Sequence, residues 1–199
     1  MYSLFRVLNI ALCIAYLPFI DNNTSGTDWL LSIKKATALS EHDNHPPANL
    51  FDGKASTFYH SSDDSTIHPW IQLELTDIQA VKQIKLTNRN DHLCKIQNCA
   101  TGLSKVEVRV GNNQVTKQNA NAITSNAICG IYHGPGKIGE VGIVMCPTPL
   151  NGRYVTIQVT DSGIQKISLA EVVIYGQIIG IIKNIKYIFH LKLKIHHRF

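Results

Sequence analysis

The connection formed by residues 88–101 carries more charged and reactive side chains than a turn requires. Its chemistry-bearing residues are Arg89, Asp91, His92, Cys94, Lys95 and Cys99. A plain turn needs only Gly, Asn, Asp or Pro at its tight positions. The additional cations, carboxylate and thiols therefore indicate a disulfide staple, a metal site or a ligand site between two strands.

Another group of candidate metal ligands lies in the segment SEHDNHPP, which contains His42 and His45. Neither this segment nor the group of His92, Cys94 and Cys99 has the paired ligand spacings of known zinc motifs. The sequence also lacks a nucleophile elbow, an HExxH helix and a phosphate-binding loop. We therefore predict that the protein is not an enzyme and that His42 and His45 lie in a solvated loop.

The net charge of +5 is concentrated near the two ends of the chain. The terminal cations are Arg6, Lys183, Lys186, Lys192, Lys194 and Arg198. The rest of the chain has 13 basic and 14 acidic residues and is close to neutral. A protein that binds duplex nucleic acid concentrates cations on its folded body, so we predict no nucleic-acid partner.

Residues 1–20 predict a secretory signal peptide. One arginine precedes an apolar run that is too short to span a bilayer, and the polar residues DNNTSGTD follow directly. The alternative for this segment is a buried N-terminal helix. A signal peptide implies a secreted, extracellular protein, in which Asn22 and Asn23 fit the glycosylation acceptor pattern if cleavage retains them.

Secretion changes how the five cysteines are interpreted. Cys13 lies within the predicted signal peptide, and four cysteines remain: Cys94, Cys99, Cys129 and Cys146. An even number of cysteines in an oxidising compartment predicts two disulfides. Of the three connectivities, sequential pairing is the simplest, because one pair shares a loop and the other pair flanks a loop.

Five segments alternate apolar and polar residues with a period of two, as half-buried strands do. They are residues 70–75, 81–88, 105–111, 153–160 and 170–176. Clusters of Gly, Asn, Asp and Pro separate them, among them CPTPLNG. Short strands separated by turn signals predict an all-β fold, an antiparallel jelly-roll sandwich that occupies residues 27–176.

Residues 177–199 form an apolar and basic C-terminal extension without acidic residues and without a clear period. Lysines interrupt it every few residues, which argues against a membrane span. Two interpretations remain open. The segment lies outside the fold, or it is an amphipathic segment bound to a membrane surface. We predict no other membrane contact.

Taken in order, several segments resemble the F-type lectins, the fucolectin–tachylectin–pentraxin domains. The resemblance covers about residues 30–176 and rests on ANLFDGKASTFYHSS with HPWIQLEL, LTNRNDHLC with VEVRVG, and NGRYVTIQV with SLAEVVIYG. Discoidin and coagulation-factor C-type domains share several of these motifs. The resemblance implies a galactose-binding-domain-like jelly roll that binds fucose-containing glycans at one end, with a calcium ion nearby.

The resemblance implies that the connection at residues 88–101 is part of a sugar site. Arg89 and Asp91 match the family's Arg-x-Asp, in which a carboxylate orients a planar guanidinium toward vicinal sugar hydroxyls. The family's second basic residue has no direct counterpart, and Lys95 lies one position early. His60 and His68 are the candidates to replace the family's sugar-binding histidine.

The resemblance also implies a calcium ion, which takes six to eight oxygen ligands. Asp52 and Glu171 match the family's carboxylate ligands. The positions that would offer mainly backbone carbonyls are Asn49, Lys54, Ser62 and Ala170.

These observations predict a secreted, calcium-containing lectin module that binds fucosylated glycans or glycoproteins. A homo-oligomer is compatible with this function, because multivalency raises the avidity of weak single sites. The alternative is a discoidin-like adhesion module that binds a protein or membrane surface and has a degenerate sugar site. Membrane-binding discoidin-type domains expose apolar residues at their loop tips, whereas polar residues dominate the loops of this sequence, and this contrast favours the lectin.

Overall fold

The computed structural model describes residues 28–62, 68–97, 99–161, 163 and 166–177. The predicted signal peptide, the glycosylation acceptors Asn22 and Asn23, and the extension beyond Gln177 lie outside the described residues, so these predictions stay predictions. Among the described residues, no helix has the length and apolar character that a membrane crossing requires.

The described part of the chain is built mainly from antiparallel strands. The strands are β1 (Asp28–Leu30), β2 (Ile33–Ala38), β3 (Tyr59–His60), β4 (Trp70–Thr87), β5 (Val106–Gly111), β6 (Ala127–Tyr132), β7 (Val141–Val159), β8 (Ser168–Leu169) and β9 (Glu171–Gln177). The helical elements are the α-helix α1 (His92–Gln97) and the 3-10 helices Pro47–Phe51, Cys99–Gly102 and Ala120–Ile123.

The strands β4 and β7 are long because each runs through both layers of a sandwich. Residues 70–75 of β4 pair with β2 and with the second half of β7, whereas residues 81–87 pair with β9 and with the first half of β7. Register shifts between Glu74 and Gln79 and between Val81 and Gln83 mark the bend. The predicted antiparallel β-sandwich is therefore confirmed.

The strand limits predicted from the sequence were wrong around β7: the sequence predicts a turn in CPTPLNG and a strand only from residue 153, whereas β7 begins at Val141. The outward-facing Val141, Ile143 and Met145 are apolar like their buried neighbours, so the segment shows no apolar–polar alternation. Pro147 and Pro149 suggested a turn, but they lie in an interruption of the β4–β7 pairing, where a missing N–H group is tolerated.

The hydrophobic core lies between the two halves of β4 and β7. Its fully buried members include Tyr59, Ile71, Leu73, Ile84, Leu86, Val108, Ile157 and Ile174. A smaller cluster packs Trp70 against Val115, Ala122 and Ile123. Buried and partly exposed side chains alternate along β5, β9 and the last residues of β4, as the period-two pattern predicted, whereas residues 70–75 of β4 are all buried.

Both predicted disulfides are present, which confirms the sequential pairing. Cys94 and Cys99 have Cα atoms 4.9 Å apart, and Cys129 and Cys146 have Cα atoms 4.2 Å apart. The first bridge staples α1 to the 3-10 helix that follows it. The second joins β6 to β7 across the core.

We expect the two disulfides to differ in their effect on stability. The Cys129–Cys146 bridge spans 17 residues and the Cys94–Cys99 bridge spans 5. In the chain-entropy description, the double variant Cys129→Ser/Cys146→Ser should lower the free energy of unfolding by about 3 kcal/mol, and Cys94→Ser/Cys99→Ser by about 1 kcal/mol less. Urea denaturation measures both losses, and a larger loss for the second variant would contradict the expectation.

Candidate functional site

Because β4 bends, the loops that adjoin its two ends meet at one end of the sandwich. The backbone N–H of Lys105, next to the start of β5, donates to the carbonyl of His133. The backbone N–H of Gly139 donates to the carbonyl of Arg89, which follows the end of β4. The loop of residues 133–140 thereby links the two layers at this end, and the predicted sugar-site segment lies beside it.

Arg89 is held in one orientation by a carboxylate and by an aromatic ring. Its Nε donates to Asp91 Oδ2 at 2.8 Å and its Nη2 donates to Asp91 Oδ1 at 3.0 Å. Its guanidinium carbon lies 3.5 Å from the centroid of the Phe58 ring. Nη1 has no protein acceptor among the described residues. The guanidinium, whose side chain is 9% exposed, therefore keeps one donor edge without a protein acceptor among the described residues.

His45 covers the other face of Phe58. The two rings are stacked with their centroids 3.9 Å apart and an interplanar angle of 21°. Two groups within 4 Å of one ring centroid cannot share a face without overlap, so Phe58 lies between His45 and Arg89. We refer to Arg89, Asp91, Phe58 and His45 as the Arg89 cluster.

The predicted histidines occupy different places at this end of the sandwich. His60 lies at the edge of the Arg89 cluster, because its backbone N–H donates to the carbonyl of His45 and its ring contacts that of His42 at 5.5 Å. His68 instead has its Nδ1 at 3.1 Å from the carbonyl oxygen of Val159. None of the contacts described for His68 reaches Arg89.

Asp91 connects the Arg89 cluster to α1. Its Oδ1 accepts a hydrogen bond from the backbone N–H of Cys94 at 3.1 Å as well as from Arg89. Partial burial acts to raise the pKa of Asp91, but the hydrogen bonds from Arg89 and Cys94 outweigh it and lower that pKa. Lys95 lies on the exposed side of α1, and none of its described contacts reaches Arg89.

The solvated-loop prediction was wrong for His45, and Phe58 was not recognised as a site residue. His45 is partly buried by its stacking on Phe58, and Phe58 itself is buried. The available signals were the two prolines that follow His45, which restrict that loop, and the position of Phe58 directly before the aromatic–His pair.

The position of His45 predicts a pH dependence of stability. Burial lowers the pKa of His45, and the positive charge of Arg89 and the neighbouring His42 lower it further. The unfolded chain then binds more protons than the native state as the pH falls below about 6.5, so native stability decreases there. We expect the free energy of unfolding, measured by urea denaturation, to fall between pH 7.5 and pH 5.5, and to fall less in His45→Gln than in the wild type. Equal losses would contradict the prediction.

The predicted calcium ligands Asp52 and Glu171 lie side by side. The backbone N–H of Lys54 donates both to Asp52 Oδ1 at 2.9 Å and to Glu171 Oε1 at 2.8 Å. The Thr57 hydroxyl oxygen lies 2.8 Å from Asp52 Oδ2 and 2.9 Å from the carbonyl oxygen of Lys54, and its single hydrogen can be donated to either acceptor. Two segments far apart in sequence thus bring two carboxylates and one carbonyl to one place.

The electrostatics of this group fit a divalent cation. Burial raises the pKa of Glu171, and the adjacent Asp52 carboxylate raises it further. Two neighbouring carboxylates that repel each other are stabilised by a cation between them. Ionised carboxylate and carbonyl oxygens are also the ligands that calcium prefers.

The other predicted calcium positions have surroundings of their own. Asn49 lies in the 3-10 helix that ends just before Asp52, and its side-chain amide donates to the carbonyl of Phe58 at 2.9 Å. Ala170 is buried and precedes Glu171. The Ser62 hydroxyl is buried and has no hydrogen-bond partner among the described residues.

Comparison with known proteins finds relatives by sequence and by fold. A sequence model of the F5/8 type C domain matches residues 35–173. A fucolectin of Anguilla anguilla is 28% identical over 133 residues, which cover 65% of this chain and 75% of that protein.

Two solved structures share the fold. A serum f-lectin (fucolectin) from Morone saxatilis has a TM-score of 0.55 and 24% identity, over 73% of this chain and 46% of that chain. A family 32 CBM from C. perfringens NanJ, solved in complex with galactose, has a TM-score of 0.55 and 20% identity, over 71% of this chain and 92% of that one.

Proposed function

Because this chain belongs to the F5/8 type C domain family, we propose that it is a lectin module that binds a glycan at the Arg89 cluster. The observation that carries the proposal is the geometry of Arg89, which is fixed by Asp91 and Phe58 and retains an unpaired Nη1 edge among the described residues. The similarity to a fucolectin of Anguilla anguilla supports it.

The cluster supplies the groups that a sugar requires. A guanidinium donates hydrogen bonds in a plane, and the vicinal hydroxyls of a sugar present oxygen acceptors at matching spacing. The pair with Asp91 restricts the rotamers of Arg89, so that less side-chain entropy is lost when the ligand binds. His60 lies at the edge of the cluster, where its ring contacts that of His42 at 5.5 Å.

We infer that the terminal sugar is fucose, that calcium occupies the Asp52–Glu171 group, and that the protein acts outside the cell. The fucolectin relative and the Arg-x-Asp motif support the first inference. The carboxylates of Asp52 and Glu171, which accept hydrogen bonds from the same backbone N–H, support the inference of calcium. The two disulfides support the third, because disulfides persist in oxidising compartments. In such a protein, calcium would hold the segment of residues 49–57 against β9.

Adhesion to a protein or membrane surface is the second candidate function. The sequence argued against this function because its loops are mainly polar. The exposed apolar residues Leu93 and Ile96 on α1 weaken that argument. The sugar-binding proposal still explains more of the site, because an apolar contact does not need an Arg–Asp pair seated on an aromatic ring. We propose no catalytic activity, and the fucolectin relative is consistent with a binding role.

The test of the proposed function is a glycan array on the purified protein, with calcium and with a chelator. We expect fucosylated glycans to be retained in calcium and weakly retained in chelator. Titration of methyl fucoside should then give a millimolar or tighter dissociation constant. Absence of binding to any glycan at millimolar ligand would contradict the lectin function.

A further inference from the structure

The helix α1 exposes an apolar pair at the edge of the Arg89 cluster. Leu93 is 57% exposed and Ile96 is 68% exposed, whereas Cys94 is fully buried. Residues three apart lie on the same side of a helix, with Cβ atoms about 5–6 Å apart. Leu93 and Ile96 therefore form one small apolar surface, whose extent is comparable to one face of a pyranose ring.

This surface is fixed in place relative to Arg89. The Cys94–Cys99 disulfide, the hydrogen bond from the Cys94 N–H to Asp91 and the contact of Cys94 Sγ with the Arg89 carbonyl at 3.7 Å all hold the buried side of α1. The same carboxylate, Asp91, thus orients both the guanidinium and the helix. Two exposed apolar side chains held rigidly beside a ligand site are typical of a contact surface rather than of a disordered loop.

The exposed part of α1 also carries a positive charge beside Ile96. Lys95 is exposed and is in no ion pair with a carboxylate among the described residues. Asp91, the nearest acid along the chain, is already engaged by Arg89. An anionic ligand group would therefore find a complementary charge next to the apolar pair.

We propose that the exposed side of α1 is a second sugar subsite, which selects an acidic sugar adjoining the terminal sugar held by Arg89. This inference rests on the proposed function. Leu93 and Ile96 contact the C–H face of the second ring. Lys95 pairs with its carboxylate or sulfate. The ligand class is accordingly a fucosylated oligosaccharide with a sialic acid, a uronic acid or a sulfated sugar.

The test compares three ligands by calorimetric titration: methyl fucoside, a neutral fucosylated oligosaccharide, and its sialylated counterpart. The wild type should bind the acidic oligosaccharide most tightly and the monosaccharide least tightly. Leu93→Asn/Ile96→Asn should lower the affinity for both oligosaccharides about tenfold, because the ligand no longer buries part of two aliphatic side chains. The same variant should change the affinity for methyl fucoside less than twofold. Lys95→Gln should reduce the acidic-to-neutral affinity ratio to about one.

A matched control is Ile78→Asn, which alters an isoleucine that is 60% exposed at the bend of β4, away from the Arg89 cluster. It should leave all three affinities unchanged. Unchanged oligosaccharide affinities in Leu93→Asn/Ile96→Asn, or an equal loss for methyl fucoside, would overturn the subsite. So would binding to phosphatidylserine vesicles that this variant abolishes without affecting any glycan. A wild type that binds methyl fucoside but shows no oligosaccharide gain refutes the subsite alone, whereas one that binds no ligand refutes the lectin function as well.

Discussion

Replacement of Arg89 by alanine is expected to weaken glycan binding by a factor of about 10 to 150. The loss should be about 1.5–3 kcal/mol of binding free energy, the range for hydrogen bonds to a charged group. Arg89→Lys should lose much of the same free energy, because an ammonium group cannot reproduce the planar fork that Asp91 orients. Calorimetric titration with methyl fucoside measures both losses.

The matched control for Arg89 is Arg109 on β5. Arg109 also pairs with a carboxylate two residues away, Glu107, and both side chains are largely buried. Arg109→Ala should therefore cost stability in the same way as Arg89→Ala but leave glycan affinity unchanged. A glycan affinity that is unchanged in Arg89→Ala, or that falls equally in Arg109→Ala, would contradict the role of Arg89.

Removal of either carboxylate of the Asp52–Glu171 group is expected to eliminate stabilisation by calcium. A ligand that binds only the native state stabilises it by about 2.7 kcal/mol at a concentration one hundred times its dissociation constant. For a domain of this size each kcal/mol raises the melting temperature by about 2–4 °C. The wild type should show this calcium-dependent rise in scanning calorimetry, and Asp52→Ala and Glu171→Ala should not.

Asp28→Ala provides the control, because Asp28 is a carboxylate in an ion pair with Lys82 that is remote from Glu171 in the sheet. It should retain the calcium-dependent rise.

The raised pKa of Glu171 makes calcium binding depend on pH, because protons compete with calcium for this carboxylate at a higher pH than for an ordinary glutamate. The calcium-dependent rise should therefore shrink as the pH is lowered from 7 to 5. A wild-type melting temperature that changes with neither calcium nor chelator would contradict calcium binding at the Asp52–Glu171 group.

The parts of the site that were predictable from sequence depend on short-range geometry. Arg89 and Asp91 are two residues apart, and the ion pair between them needs little from the rest of the fold. Cys94 and Cys99 share a loop, so their disulfide could also be predicted from the sequence. The strand β5, whose outward residues Glu107 and Arg109 are polar, showed the period-two pattern that predicted it.

The parts that were not predictable depend on contacts between distant segments. The stack of His45, Phe58 and Arg89 exists because the pairing of β3 with β8 brings Phe58 next to the end of β4. No spacing in the sequence encodes that approach. Likewise, the first half of β7 presents apolar residues on both faces, so its strand could be identified only from its partner β4.

The pairing of β1 with β9 has a consequence for how the domain can be joined to other polypeptides. Asp28 lies opposite Gln177, and Gly176 pairs with Val81 beside the bend of β4, so the described chain enters and leaves at adjacent points. The Arg89 cluster lies at the other end of the sandwich. A partner domain joined directly to Asp28 or Gln177, or a tandem copy joined there, would therefore begin at the end opposite the Arg89 cluster. Several such units on one scaffold could direct their sites toward the same cell surface, which is the arrangement that converts weak single contacts into avidity.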